Sequence, residues 1–485
     1  MTRPFRLGID WSALHDAALL HSARIAAARL TPEILLTDES IALAEFDVRS
    51  FMESSFKDQS DPVGNTLTTG GPPRLNQHQW SMRTGVSRRA MGGADLEVAQ
   101  ELGFLNSNSL FLVPNDQGSA KLRVSLRQPL LQGRGRDYNQ STMRFAQFNR
   151  QLGEAQLEQE TQDHIQRLAQ AYWNLYLYRA AIVMQERHLD RAREITDQLS
   201  ARRTFDASAA QIAIAQAALL KREADLIRVR AQLTNTQLSL LSLINLPEPD
   251  IAARIEVVPT SPLVVSLPEF DRHEQLATAF RSRAEIQRAL LEAESAALSI
   301  DVARHELMPK LDLVLDSYVS GLRGETDILG SVDDQFTTGA PSYSGGVVFE
   351  YPLGNRAARA EHEKRKLAAQ QLAEGFRATA SEVATEVDIA LNDLRSHFEE
   401  LQARIVSSQA AQIEVDYMRQ RWQRSIDEDR SGSLALRELL AAHDRLVEEQ
   451  MALAQSRATY ELSLVSLEYA TGRLVSMRSV DGGFH

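Results

Sequence analysis

Two very long helical patterns without an internal proline constrain the fold of this chain more than any other feature. They span roughly residues 137–203 and 355–427. At about 1.5 Å of rise per residue, each helix would extend on the order of 100 Å. Apolar residues recur along both patterns every three, four or seven positions, which indicates narrow coiled-coil seams. The seam positions are Leu168, Leu175, Ile182 and Leu189 in the first pattern and Val383, Val387, Ala390, Leu394 and Leu401 in the second.

A short polar interruption follows each long pattern, and a shorter helical pattern then returns. The interruptions lie around residues 202–208 and 427–433, and the return patterns reach about residues 245 and 471. Because a short connection between helices makes them antiparallel neighbours, the sequence predicts two helical hairpins with their turns at the far ends.

The segment before each long helix is also duplicated. KLRVSLRQPLLQGRGR at 121–136 and SGGVVFEYPLGNRAAR at 344–359 each read as an alternating strand, a Pro-Leu pair and a basic helix start. Proline cannot donate to a strand ladder but suits a helix start, and glycine permits a bend. Pro129 and Gly133, then Pro352 and Gly354, are therefore predicted strand-to-helix junctions.

The rest of the chain completes two similar halves, each reading helix, strand, loop, strand, long helix, return helix. The opening helices are predicted at roughly 12–44 and 272–307, and the loops at 59–119 and 321–343, with Leu96 and Val98 indicating an additional hairpin in the first loop. We predict a first structural repeat at 1–246, a Pro-rich linker or equatorial segment at 247–271, a second repeat at 272–475 and a tail at 476–485.

Composition excludes several classes of protein. No apolar run approaches the roughly 18 residues of a spanning helix, and a net charge of −12 argues against nucleic-acid binding. The chain has no cysteine, no HExxH motif and no nucleotide-binding loop. We therefore predict no active site, metal or cofactor.

The predicted strands require partners from other copies. Two hairpins give four strands, whereas single-chain membrane barrels begin at eight. Three chains would supply about twelve and leave no unpaired edge in the hydrocarbon region.

The order of elements, the QPLL…G boundary, the second Pro-Leu boundary and the two polar turns resemble the TolC family of outer-membrane factors over essentially the whole chain. The resemblance implies a mainly α fold with β structure, in which an α-helical tunnel joins a trimeric transmembrane β-barrel and each protomer has two repeats. It also implies a homotrimer in contact with outer-membrane lipid and extending into the periplasm. Its expected partners are a periplasmic adaptor (membrane fusion) protein and an inner-membrane pump or ABC transporter.

The two turns at the far ends of the hairpins are candidates for gating or adaptor docking, because charged side chains there could form a constriction or ion pairs. The candidates are Arg202, Arg203 and Asp206 in the first turn and Asp427, Glu428, Asp429 and Arg430 in the second. Solvated turns with helix capping would also place charges there. Trp422, close to the second turn, is a candidate for adaptor packing, whereas Tyr172 and Trp173 are expected between helices.

Two alternatives remain open. The N-terminal segment lacks the apolar stretch of an export signal, which favours a cytosolic or peripheral coiled-coil scaffold over an exported duct. That alternative leaves the duplicated strand, Pro-Leu and helix junctions unexplained. A duct for protein export has the same fold as an efflux duct, so the residues do not distinguish these two.

Overall fold

A computed structural model describes residues 5–201, 209–244, 255–262, 266–425 and 429–475. The chain divides into two compact units. The helical unit comprises Met1–Pro32, Leu152–Leu290 and Gly375–His485, and the sheet unit comprises Glu33–Gln151 and Leu291–Glu374. The predicted tail at 476–485 lies outside the described residues.

The sheet unit is built on six strands, each antiparallel to its neighbours. In spatial order they are β2 (Arg49–Pro62), β3 (Arg74–Arg89), β4 (Asp95–Ser107), β5 (Asp116–Pro129), β7 (Lys310–Gly324) and β8 (Ser342–Glu350). The prediction of four strands was therefore wrong. The additional hairpin expected in the first loop is present as β3 and β4, which are inserted between the two strands predicted to pair directly.

The second predicted loop, at 321–343, also contains regular structure. The helix α8 (Ile328–Thr337) lies between β7 and β8. Its N-terminus is capped by the Asp327 side chain, whose Oδ1 accepts from the Gly330 amide at 2.8 Å. Ser331 Oγ donates to the Gly118 carbonyl at 2.7 Å, so α8 packs directly on the sheet, where the absence of a side chain at Gly118 allows the close approach.

The helices follow the predicted order closely. They are α1 (Trp11–His21), α2 (Ala23–Leu43), α3 (Arg136–Asn139), α4 (Ser141–Ala201), α5 (Ala209–Ile244), α6 (Arg272–Ser282), α7 (Ala284–Glu306), α9 (Arg356–Ser425) and α10 (Asp429–Ala470). The predicted opening helices are each divided, at Ser22 and at Arg283. Both residues are extended, with ψ of 119° and 125°. The break therefore recurs at equivalent places in the two halves.

Helix seams form the core of the helical unit. Leu168 and Leu175 are fully buried in one cluster, and Val387 and Leu394 lie in a second. Burial at the predicted heptad spacing is what holds such long helices together, since isolated helices owe little stability to propensity alone. A short parallel pair, β1 (Phe5–Ile9) with β6 (Ile255–Pro259), adds to this unit. The predicted linker at 247–271 thus contains a strand.

Candidate functional site

One face of the sheet is largely apolar. Side chains alternate between faces along a strand, so the strand register places Phe56, Trp80 and Phe104 in one row across three strands. The Trp80 and Phe104 rings stack with centroids 6.0 Å apart. Val86 and Val124 extend the same face and are 45% and 40% exposed. An exposed apolar surface of this kind marks a contact with lipid or protein.

The opposite face carries paired charges. Arg83 pairs with Glu97, and its Nε also lies 3.8 Å from Glu101 Oε1. Arg123 Nε lies 3.9 Å from the same Glu101 oxygen, so one carboxylate bridges two neighbouring strands. The strand register puts all four residues on the face turned away from Trp80. This polar face is suited to line water.

A second ion pair on the polar face joins the two halves of the sequence. Arg127 on β5 donates through Nε and Nη2 to Asp312 Oδ2 on β7, at 3.0 and 2.6 Å. Asp312 is buried, at 7% exposure. A buried carboxylate needs such partners because desolvation disfavours its charge. The pair therefore fixes β5 against β7, where strands of the two predicted repeats meet.

The predicted junction residues lie where strands end and helices begin. Pro129 is the last residue of β5, and Gly133 follows with a φ of +85°. At the second junction Pro352 and Gly354 lie between β8 and α9, and the left-handed conformation belongs to Asn355, with a φ of +38°. Asparagine tolerates this region better than most residues, so the second bend does not depend on Gly354.

Most of the predicted tip residues lie outside the described part of the chain. This applies to Arg202, Arg203 and Asp206 in the first turn and to Asp427 and Glu428 in the second. Asp429 and Arg430 begin α10. Their roles in gating or docking stay predictions.

The aromatic residues on the helices pack inside the helical unit. Tyr172 is fully buried, and its hydroxyl donates to the Ile9 carbonyl at 3.1 Å. Trp173 is 2% exposed in the same cluster. Trp422 is 5% exposed and packs with Leu436 and neighbouring apolar residues. Its ring is thus buried in this chain's own core, which leaves little of its surface for contact with an adaptor.

A buried ionic cluster on three helices was not predicted from the sequence. Asp444 Oδ1 on α10 lies 3.0 Å from His188 Nε2 on α4 and accepts from Arg222 Nη2 on α5 at 3.0 Å. The Arg222 and His188 side chains are 3% and 4% exposed. The three residues are far apart in sequence, so no local spacing revealed them. Their only sequence signal is charge on helices that otherwise pack through apolar seams.

The charges of this cluster are set by burial and by each other. Burial raises the pKa of Asp444, but hydrogen bonds from His188 and Arg222 lower it more strongly, and the resulting pKa is about 2. Burial also lowers the pKa of His188, and the nearby Arg222 adds to that effect. At neutral pH the cluster therefore holds a carboxylate, a guanidinium and a neutral imidazole.

Within the described residues, no group of three His, Cys, Asp or Glu side chains could hold a metal ion. His305 lies beside Tyr138, with ring centroids 5.2 Å apart. In the same part of the chain, no helix is both long and apolar enough to cross a membrane.

The chain is similar over nearly its whole length to solved outer-membrane proteins. The outer membrane protein VceC of Vibrio cholerae has 16% identity and a TM-score of 0.66, with 95% of this chain and 96% of that chain covered. The CmeC outer membrane channel of Campylobacter jejuni has 15% identity and a TM-score of 0.68, with coverage of 96% and 86%. The MtrE outer membrane channel of Neisseria gonorrhoeae, in its open state, has 17% identity and a TM-score of 0.63, with coverage of 96% and 89%.

Sequence comparison gives a family match over part of the chain. The model of the outer membrane efflux protein family matches residues 276–473. A comparison with curated protein sequences found no match. The matched residues include the second predicted repeat almost completely, and the shared fold extends to the first. The chain therefore has the fold of these outer-membrane channels, and its residues 276–473 match the outer membrane efflux protein family.

Proposed function

We propose that three copies of this chain form the outer-membrane exit duct of a tripartite efflux or type I secretion system. Substrates cross the outer membrane through it passively, and the chain itself has no catalytic role. A periplasmic adaptor and an inner-membrane pump or ABC transporter are the expected partners, and the energy comes from the inner-membrane component.

The two edges of the sheet carry this proposal. β2 and β8 each have a strand neighbour on one side only within the described residues. Since the six strands alternate in direction, β8 of one copy would run antiparallel to β2 of the next. Such pairing would satisfy both edges, as a hydrocarbon environment requires. The apolar face would meet lipid, and the face with Arg83 and Glu101 would line the water.

The strand number changes the expected size of the duct. Three copies with six strands give eighteen, instead of the twelve predicted from the sequence. Barrel diameter grows roughly linearly with strand number, so the mouth would be about 1.5 times as wide as that of a twelve-stranded barrel. Barrels of 16–18 strands leave an aqueous channel.

A disulfide experiment tests the pairing of the edges. The chain contains no cysteine, so an introduced pair has no background. Met52→Cys on β2 would be combined in turn with Tyr343→Cys, Val347→Cys or Phe349→Cys on β8, in protein exported behind an added signal sequence. We expect one combination to give reducible dimers and trimers in the outer-membrane fraction.

The matched control replaces the β8 cysteine with Val98→Cys on the interior strand β4, which should give monomer only. Three outcomes would refute the proposal: only monomer with every β8 cysteine, open-ended polymers, or recovery of the protein in soluble form. Soluble protein would favour the coiled-coil scaffold, which does not account for the apolar face of the sheet.

Efflux and protein export share the duct, and the two are distinguished by whether the neighbouring genes encode a proton-driven pump or an ABC secretion transporter.

The polar turns at the helix ends are proposed as the gate or adaptor-docking region. Arg202 and Arg203 in the first turn would face acidic partners such as Asp427 and Glu428, and such contacts would hold the turns closed. Conductance in planar bilayers tests this. R202Q/R203Q should raise single-channel conductance at 0.1 M salt, and unchanged conductance would leave these arginines with a capping or solvated role.

A further inference from the structure

A cavity of about 310 Å³ lies among α4, α9 and α10 in the helical unit. Its polar lining consists mainly of nitrogen-bearing side chains. Arg191 and Gln198 come from α4, Arg419 and Gln423 from α9, and His443 from α10. Guanidinium, amide and imidazole groups are all able to donate hydrogen bonds. The volume is at the lower end of the range for sites that bind small molecules.

The two arginines of this cavity form no ion pair among the described residues. Within the described residues, neither Arg191 nor Arg419 has an ion pair or a hydrogen bond. Burial lowers the pKa of Arg191, and repulsion from Arg419 and then Arg187 lowers it further, with partial compensation by Asp416. Both guanidinium groups therefore lack the ion pairs that Arg222 and Arg283 make in the same unit.

The imidazole of the cavity is buried and incompletely satisfied. His443 is 2% exposed, and its Nδ1 has no hydrogen-bond partner. Burial lowers its pKa to about 3, with further lowering by Arg191, Arg222, His188 and Arg419 in that order. An unpaired buried polar atom costs free energy that a ligand could recover.

The carboxylates near the cavity are hydrogen-bonded to other residues, and Asp416 Oδ1 accepts from Gln412 Nε2 at 3.2 Å. Glu194 lines the cavity, but its Oε1 is directed to Gln198 Nε2, at 3.4 Å. Asp444 is committed to His188 and Arg222. Ile195, Trp422 and Leu439 also line the cavity, but each is at most 6% exposed and offers little surface to a ligand. The site therefore presents two arginines without ion pairs in a mainly polar lining.

We propose that this cavity binds a small carboxylate anion, which is held between Arg191 and Arg419. The planar guanidinium group presents paired donors that match a carboxylate. Gln198 and Gln423 add neutral donors at the rim. The site belongs to one protomer, so this inference does not depend on the duct or on trimerisation.

Calorimetry on the full-length protein in detergent provides the test, with benzoate as the probe. Benzyl alcohol, which lacks the charge, and sulfate, which is an oxyanion but not a carboxylate, are the comparison ligands at constant ionic strength. We expect saturable benzoate binding that weakens at least tenfold in R191Q and in R419Q, in line with a charge-assisted hydrogen bond. The matched control is R228Q, because Arg228 is an exposed arginine on α5 outside the cavity and 70% exposed.

Equal binding of benzyl alcohol, or unchanged affinity in both arginine variants, would overturn the proposal. Sulfate binding as tight as benzoate binding would also overturn it, since the site would then recognise inorganic oxyanions only.

Discussion

Replacing Asp444 by asparagine should destabilise the helical unit through Arg222. Asp444→Asn removes the only carboxylate within ion-pairing distance of that guanidinium in the described residues, and the Arg222 side chain is 3% exposed. Removing one partner of a buried pair costs about 3–5 kcal/mol, because the remaining charge stays desolvated. Asp444 is itself 41% exposed, so water can partly take over its contact with Arg222. We therefore expect D444N to lower the free energy of unfolding by about 2–3 kcal/mol, less than for a fully buried pair.

Native-state hydrogen exchange gives a local measurement of this loss. The amides of α5 around Arg222 should exchange about 30 to 150 times faster in D444N, which is the same free energy expressed as an opening equilibrium. The matched control on the same helix is D225N, which breaks the exposed pair of Asp225 with Arg228, 3.2 Å apart. Such surface pairs contribute about 0–1 kcal/mol, so D225N should change exchange very little.

A double variant identifies the cause of the destabilisation. R222M/D444N removes the buried cation as well as its partner, and replacing a buried ion pair by apolar groups is often neutral or stabilising. We expect its exchange to be slower than that of D444N. If D444N and D225N exchange alike, or if the double variant exchanges faster than D444N, the unpaired guanidinium is not the source of the effect.

Three further predictions concern pH and backbone conformation. Burial raises the pKa of Glu468 to about 7, so the folded chain binds more protons than the unfolded chain between about pH 4.5 and 7. This contribution to stability is lost as the pH rises through 7, and E468Q should abolish that loss in unfolding midpoints measured from pH 5 to pH 8. The pH dependence of stability contributed by His443 has the opposite sign. Because its pKa is lowered, stability is lost as the pH falls below about 6.5 toward 3, and H443Q should reduce the loss between pH 7 and pH 4.5. Gly93→Ala should destabilise the β3–β4 turn by about 1–3 kcal/mol, since Gly93 has a φ of +93° and an added Cβ would lie 2.4 Å from the Gly133 carbonyl oxygen; faster hydrogen exchange confined to that turn would support this, and exchange equal to wild type would contradict it.

The long helices were predictable because their seams repeat at a spacing that only a helix can bury on one side. Leu168 and Leu175, seven residues apart, are both fully buried. The strand β3 was expected only as part of the additional hairpin indicated by Leu96 and Val98, because its own sequence gives a weak signal. Along it only Trp80, Met82 and Val86 give the apolar alternation, and polar residues flank them on both sides. Its apolar face is completed by pairing with β4, where Trp80 faces Phe104.

The charged sites were hidden because they are assembled from separate helices. His188, Arg222 and Asp444 come from three elements, and each alone reads as a residue on a solvated helix face. Arg191 and Arg419 are likewise far apart in sequence, and their proximity follows from the packing of α4 against α9 and α10. Periodicity predicts which side of a helix is buried, but it does not predict which polar residue of one helix meets which of another.

The inserted hairpin is integrated with the first strand-to-helix junction and is not a loose surface extension. The Gly135 amide donates to the Gly92 carbonyl in the β3–β4 turn at 3.2 Å. Asn139 Nδ2 donates to the Gly133 carbonyl at 2.7 Å, against which Gly93 is packed. Gly133, which was predicted to allow the bend, and Gly135 therefore also hold the turn of the added hairpin. Because that turn is fixed at the junction, β3 and β4 are positioned as permanent members of the sheet, which supports a duct of eighteen strands over one of twelve.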